Sequence, residues 1–164
     1  MSDNPFKEFL SDPSAIERLS YEERCALGDK FKDYVKKMAD TALPFVKAVI
    51  GLKVIDEVKV IFSKKWSAAG GFNCGENVVV LNCAQLHGPT EMLDVLAHEC
   101  IHAHQYERGD LRGGPGDTIW CGQSFTDDGL PEHKKPWEVE AYSKMFEVAR
   151  AAEALMEAYA DKNL

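Results

Sequence analysis

The sequence predicts an α+β protein in which helices at both ends flank a small sheet and a buried central helix. Three observations predict this class. Apolar residues recur at helical spacing before residue 50 and after residue 136, β-branched residues run together in 54–62, and residues 90–108 combine helical spacing with a mostly apolar surface. At 164 residues and 45% hydrophobic content, the chain can form one domain, 1–164, around a sizeable core.

The first part of the chain, residues 5–50, is expected to form helices that pack on the sheet. Ser20 and Glu23 match a capping box, in which each side chain accepts a hydrogen bond from the other residue's backbone N–H. A helix should run from there to about Met38. Residues 41–50 should continue helically and stop at Gly51, before a strand in 54–62.

The helix predicted at residues 90–108 carries the main chemical signal. Thr90 is the expected N-cap, and Gly109 follows the last periodic residue. Within the helix stands His98-Glu99-Cys100-Ile101-His102, an H-E-x-x-H pattern. Residues four apart lie on the same face of a helix, so both imidazoles can bind one zinc ion while Glu99 leans towards a water.

The helical context of this motif also favours a metal site. His98, His102 and Gln105 lie on one stripe of the helix, with Glu99 at its edge, and the rest of the circumference is apolar. Burying such groups without partners costs roughly 1–3 kcal/mol each, so a polar stripe on a buried helix needs a reason. Two hydrogen-bonded core histidines are the alternative. His104 faces about 200° from His102 on the helix and is interpreted as a packed or supporting histidine.

A catalytic zinc normally has three protein ligands and one open position, so a third ligand is needed. Residues 136–160 predict a C-terminal helix, with Pro136 in its first turn. Glu138 shares a face with the apolar positions Met145, Ala149, Ala152 and Met156, whereas Glu140 points about 200° away and is expected to be solvated. Periodicity therefore selects Glu138 as the third ligand. His133, in a loop, is the fallback, and neither the metzincin extension nor any C-x-x-C pair is present.

Glu138-x-x-Ala141 after the H-E-x-x-H motif resembles the gluzincin arrangement of zinc metallopeptidases. The stretches 68–73 and 77–82, followed by the motif helix, are similar to the core of small intracellular zincins of the SprT-like and ImmA/IrrE types. The resemblance covers roughly residues 54–146. It implies a small mixed or antiparallel sheet within 54–83 that contains Val78 to Leu81, and an edge strand that receives an extended peptide. Tyr142 stands where gluzincins commonly have an acidic or amide residue, and SprT-like proteins usually use a third histidine.

A long segment, residues 109–135, separates the two ligand helices and is rich in Gly, Pro and Asp. Loops longer than about 12–15 residues in compact domains are usually functional or disordered, so this one is expected to wall a cleft. Its acidic residues outnumber nearby bases and favour a neutral or cationic peptide; they are Asp110, Asp117, Asp127, Asp128 and Glu132. Three aromatic residues could contact a substrate or simply attach the loop to the core: Trp120, Phe125 and Trp137.

Composition excludes several other classes of protein. The net charge of −8 disfavours independent nucleic-acid binding, which depends on Lys and Arg neutralising phosphates. We recognise no signal peptide and no apolar run of the ~20 residues that cross a bilayer, so a cytoplasmic location is expected. The five scattered cysteines fit reduced thiols, although Cys83 and Cys121 could pair in an oxidising compartment, and Cys100 is assigned to core packing.

The resulting hypothesis is a zinc-dependent peptidase acting on a peptide or protein. Zinc on His98, His102 and Glu138 would lower the pKa of its water towards about 7, and Glu99 would act as general base. The second donor to the oxyanion is left open among Tyr106, Tyr142 and His133. Two alternatives stay open: a non-proteolytic zinc-binding interaction or regulatory module, and a zinc amide hydrolase acting on a non-protein substrate.

Overall fold

The computed structural model describes residues 20, 22, 23 and 25 and the ranges 29–114, 117–125 and 130–163. Three long helices dominate: α1 (Asp29–Ile50), α2 (Pro89–Glu107) and α3 (Pro136–Lys162). Two three-stranded sheets accompany them, so the predicted α+β class is confirmed. No helix in these ranges is both long and apolar enough to cross a bilayer.

The first sheet contains β1 (Glu57–Ile61), β2 (Gly70–Asn73) and β3 (Val78–Asn82), in the order β1-β3-β2. Strand β1 runs parallel to β3, and β2 runs antiparallel to β3, so the sheet is mixed, as expected. Val58, Val79 and Leu81 are fully buried beneath the helices. Helix α2 lies against β2 and β3, and α1 packs on β1 and on both other helices.

A buried asparagine organises the segment that leads from β1 to β2. The side-chain N–H groups of Asn82 donate to the backbone carbonyls of Ser63, Trp66 and Ala68, and its side-chain oxygen accepts from the backbone N–H of Ser63. Asn82 is fully buried, and these bonds satisfy a polar group that would otherwise be costly there. They also fix the start of β2, which lies beside the motif helix.

The N-terminal expectations are largely confirmed where they can be compared. Ser20 and Glu23 form the predicted capping box: the Ser20 N–H donates to Glu23 Oε2 at 2.6 Å, and the Glu23 N–H donates to Ser20 Oγ at 3.1 Å. Helix α1 passes through Pro44 and ends before Gly51, as predicted. The strand expected over 54–62 is shorter, β1. The expected helical residues 5–19 lie outside the described residues.

Both boundaries of α2 lie within one residue of the predicted range 90–108. The N-cap is Gly88, not Thr90, because Pro89 occupies the first helical position, where its missing N–H is not needed. At the other end the Gly109 N–H donates to the Tyr106 carbonyl and the Asp110 N–H to the Gln105 carbonyl. With Gly109 at φ +80°, this is a Schellman motif, so the predicted stop is confirmed.

The segment between α2 and α3 is not the open loop that its composition predicted. Its described residues form an antiparallel meander of β4 (Leu111–Gly114), β5 (Asp117–Trp120) and β6 (Gln123–Phe125), then a 3₁₀ turn at Glu132–Lys134. Strands of three or four residues are too short to show a clear alternation of apolar and polar residues, so the high content of Gly, Pro and Asp determined the prediction of a loop. The rings of Phe125 and Trp137 meet edge to face at 5.6 Å, which attaches the meander to α3.

Candidate metal centre

Helix α2 presents the H-E-x-x-H residues on a narrow polar stripe within a buried helix. Leu93, Leu96, Ala97, Cys100 and Ala103 are at most 1% exposed and anchor the helix in the core. His98, Glu99 and His102 lie at its boundary, 7–8% exposed. The apolar face therefore fixes the rotation of α2, and this rotation points both imidazoles towards α3.

The first turn of α3 brings Glu138 to both histidines. Glu138 Oε2 lies 3.1 Å from His98 Nε2, and Glu138 Oε1 lies 3.2 Å from His102 Nε2. The two Nε2 atoms are 3.0 Å apart. The side chains predicted as ligands from two separate helices thus converge on one point, and they form a group whose donor atoms could hold a metal ion.

The spacing of these donors fits a zinc ion. Ligand atoms around tetrahedral zinc, at about 2.0–2.1 Å from the metal, are about 3.3 Å apart. The observed separations of 3.0–3.2 Å are close to that value. Two imidazoles and a carboxylate are also a common donor set of catalytic zinc. Ligation itself stays a prediction.

The charges of the three side chains reinforce each other. Burial raises the pKa of Glu138, but its hydrogen bonds with the two histidines outweigh burial and lower the pKa to about 2. Burial lowers the pKa of His102, but the hydrogen bonds to Glu138 and Gln105 and the negative charges of Glu138 and Glu99 together outweigh burial and raise the pKa. A partly buried carboxylate held ionised beside two imidazoles is an attractive position for a cation.

Glu99 lies beside this group but does not join it. Burial raises the pKa of its carboxyl group, against the opposing effect of the neighbouring histidines. Among the residues that the structure describes, none forms a hydrogen bond with the Glu99 carboxylate. Its side chain passes over Gly70 of β2, where an added Cβ would lie 3.2 Å from Glu99 Cγ and only 2.6 Å from Val95 Cγ1. Glycine at position 70 therefore allows α2 to approach the sheet edge closely.

Gln105 lies on the polar stripe of α2, but the sequence alone predicts no role for it. It is fully buried, and its Oε1 lies 2.8 Å from His102 Nδ1. Its Nε2 donates to the Trp137 carbonyl at 2.9 Å and to Glu140 Oε2 at 2.8 Å. Its position on the polar stripe, three residues after His102, was the available signal. The partners on α3 could not be read from one helix alone.

Glu140 was expected to be solvated, and this prediction is wrong. Its side chain is 20% exposed and accepts hydrogen bonds from Gln105, Arg108 and Lys144. Burial raises the pKa of Glu140, but the hydrogen bonds from its three donors outweigh burial and lower the pKa to about 2. The helical wheel gave the direction of Glu140 correctly, but the C-terminal end of α2 covers that side of α3.

The three candidates for the oxyanion donor have different surroundings. The Tyr142 ring packs on the His98 ring with centroids 4.5 Å apart, and no described residue hydrogen-bonds with its hydroxyl group. The Tyr106 hydroxyl donates to the Gly113 carbonyl at 2.9 Å, and its ring lies on Phe72 of β2. His133 is exposed on the 3₁₀ turn and is outside the group of possible ligands. Of the three candidates, Tyr142 is the one whose ring contacts a predicted ligand.

The cysteines and His104 do not contribute to this group. Cys100 is fully buried in the core, as expected, and burial raises the pKa of its thiol. Cys83 and Cys121 do not pair: Cys83 is buried beside the sheet, and Cys121 is exposed in a turn of the meander. His104 is half-buried on the opposite side of α2 from His102.

Comparison with known proteins identifies no relative. No protein-family model matches the chain, and no curated protein or solved structure matches it significantly. The case for a metal centre therefore rests on the geometry of the side chains described above.

Proposed function

We propose that this protein is a zinc-dependent metallopeptidase of the gluzincin type, in which His98, His102 and Glu138 hold the metal and Glu99 is the general base. One observation carries the proposal: the three donor groups meet within 3.0–3.2 Å of one another beside a buried carboxylate that no described residue engages. The H-E-x-x-H motif requires this arrangement for its chemistry.

The donor set favours a catalytic rather than a structural site. Structural zinc sites usually close the metal with four protein ligands, whereas catalytic sites use three and leave one position open. Within the described ranges, the group contains three candidate ligands. A structural site also has no use for Glu99, whose burial beside the metal group costs free energy without an evident structural return.

Each residue has a distinct task in the proposed reaction. When bound, zinc supplies Lewis acidity and lowers the pKa of a water molecule towards about 7. Glu99 accepts a proton from the attacking water and delivers it to the leaving amine. Its raised pKa suits this task, because a carboxylate of ordinary acidity accepts protons less readily. Tyr142 donates its free hydroxyl proton to the developing oxyanion.

The position of β2 favours an extended peptide as substrate. Among the residues that the structure describes, β2 pairs with β3 alone, so its other edge offers backbone groups that can pair with a further strand. Gly70 on this strand lies against Glu99, so a peptide that pairs along the edge would pass beside the general base. This proximity favours a peptide over a small amide.

The charge around the site favours a neutral or cationic peptide. Glu132, on the exposed 3₁₀ turn, is among the negative charges that raise the pKa of both Glu99 and Tyr142. With a net charge of −8, the chain attracts basic rather than acidic partners. The five cysteines form no disulfide bond in the structure, which suits a reducing compartment, and we place the protein in the cytoplasm.

Metal analysis and peptide cleavage test the proposal together. The dialysed protein is expected to contain one zinc per chain and to cleave members of a peptide library, and Glu99→Gln should keep the zinc but lose cleavage. Zinc without cleavage of any peptide would favour the interaction module or the amide hydrolase. Protein that binds no divalent metal would refute the proposed centre, and cleavage by Glu99→Gln at the wild-type rate would refute the proposed base.

A further inference from the structure

The orientation of the buried Gln105 amide follows from its neighbours. One end of the amide faces the Trp137 carbonyl and the Glu140 carboxylate, both of which can only accept hydrogen bonds at this position. This end must therefore be the NH₂ group, which donates to both. The other end, the oxygen, then faces His102 at 2.8 Å.

This orientation determines the tautomer of His102. Because the Gln105 oxygen is an acceptor, Nδ1 of His102 must carry the proton that forms their hydrogen bond. A neutral imidazole has one protonated nitrogen, so Nε2 keeps its lone pair. Nε2 is the atom that faces His98 and Glu138, where a metal ligand needs that lone pair.

The Glu140 carboxylate holds the amide in place from α3. Arg108 donates to both oxygens of Glu140, at 2.9 and 2.6 Å, and Lys144 donates to one at 2.6 Å. Glu140 is two residues from Glu138 on the same helix. The network therefore connects the helix of the two histidines to the helix of the third proposed ligand, close to the site.

We infer that Gln105 is a positioning residue for the metal centre: with Glu140, it fixes the Nδ1–H tautomer and ring orientation of His102 and the position of α3 against α2. The inference rests on the proposed function, because it takes His102 to be a ligand. The tautomer itself is a property of the metal-free chain and can be measured independently.

Nitrogen-15 NMR of the histidine rings in the metal-free, full-length protein tests the first part. Nδ1 of the wild-type His102 ring should be protonated at every pH, whether or not Nε2 also carries a proton that it donates to Glu138. In Gln105→Leu, which removes the acceptor but keeps a side chain of similar size, His102 should populate both tautomers. An unchanged Nδ1–H tautomer in a folded Gln105→Leu protein would overturn the inference.

Zinc affinity, measured by competition with a chromophoric chelator, tests the second part. Gln105→Leu should bind zinc roughly 10–100-fold more weakly, as is typical when a partner of a metal-bound histidine is removed. Asp94→Asn is the matched control. Asp94 accepts from Arg150 at 2.9 Å and links the same two helices without touching either histidine. The zinc affinity of Asp94→Asn should stay within threefold of wild type. An equal loss of affinity in both variants would show that Gln105 only links the two helices and does not position His102.

A pair of exchanged residues keeps the inference testable if Gln105→Leu does not fold. Gln105→Glu alone places two carboxylates against each other and should weaken zinc binding about tenfold. In Gln105→Glu/Glu140→Gln, the amide introduced at position 140 can donate to the carboxylate introduced at position 105, which still accepts from His102. Affinity should recover in part, because the Trp137 carbonyl loses its donor and Arg108 and Lys144 lose the charge of Glu140; a double variant that binds zinc no more tightly than Gln105→Glu would contradict the network. Wild-type protein that shows the Nδ1–H tautomer but binds no zinc would refute the proposed function alone.

Discussion

His98 and His102 lie one turn apart on α2 and are equally buried at 8% exposure, yet their outer nitrogens differ. Nδ1 of His102 meets the Gln105 amide, whereas Nδ1 of His98 is buried and has no hydrogen-bond partner among the described residues. His98 is held instead by its contact with the Tyr142 ring. Polar bonding thus orients one imidazole and ring packing orients the other.

The difference has an energetic consequence. A proton on Nδ1 of His98 has no acceptor, and a buried unpaired donor costs about 1–3 kcal/mol. In the tautomer that we infer for His102, the proton lies on Nδ1, which faces away from Glu138 and has the Gln105 oxygen as its acceptor. The H-E-x-x-H spacing therefore gives both residues the same position on the helix, but the surrounding side chains give their Nδ1 atoms different hydrogen-bonding environments.

The largest effect is expected where the two histidines share a partner. Glu138→Ala should lose stoichiometric zinc on dialysis and all measurable cleavage, because it removes the carboxylate that lies 3.1–3.2 Å from both Nε2 atoms. Glu147→Ala, which changes an exposed glutamate further along the same helix, is the control and should retain zinc. Zinc analysis after dialysis decides the matter: zinc bound by Glu138→Ala as tightly as by wild type would rule out Glu138 as a ligand.

A smaller effect is expected at Glu99, which is the proposed general base but does not orient either imidazole ring. Glu99→Gln should cleave about 10²–10⁴-fold more slowly, the usual contribution of a general acid–base group, and should bind zinc normally. Steady-state kinetics and zinc titration of the same sample measure the two properties. Loss of zinc together with activity would show that Glu99 acts on the metal group and not as the base.

Tyr142 tests the side of the site that packs on His98. Tyr142→Phe keeps the ring but removes the hydroxyl group, so kcat should fall about 10²-fold while zinc affinity is unchanged. Tyr106→Phe is the matched control: its hydroxyl already donates to Gly113, so this variant should lose about 0.5–1.5 kcal/mol of stability and keep its kcat. The opposite pattern would make Tyr106 the oxyanion donor.

The helices could be predicted, and so could the convergence of His98, His102 and Glu138, because the inward-facing side chains of each helix can be identified from that helix alone. The 3.6-residue period fixed which side chains of α2 and α3 face inward, and the buried positions Ala149, Ala152 and Met156 agree with it. The inward-facing histidines of α2 and Glu138 of α3 are polar, so in a shared apolar core they are expected to lie against each other.

What could not be predicted depends on contacts between elements or on very short elements. Gln105 and Glu140 were each visible in the sequence, but their pairing requires α2 and α3 to be placed side by side. The three short strands in 111–125 are stabilised by pairing with each other rather than by their own apolar pattern. Local composition therefore predicted a long loop over this segment, and this prediction was wrong.

The smallest effect concerns the network behind His102 and appears as a pH dependence of stability. The pKa of Glu140 is lowered from 4.5 to about 2, so its ionised form stabilises the fold above about pH 4.5, and this contribution is lost as pH falls towards 2. Glu140→Gln should therefore be about 1–2 kcal/mol less stable than wild type near pH 7, and the difference should shrink towards pH 2. Urea denaturation of both metal-free proteins at several pH values measures it. Glu138 titrates in the same range but is present in both proteins, so its effect cancels; a gap that stays constant down to pH 2 would show that the Glu140 charge is not what holds Gln105.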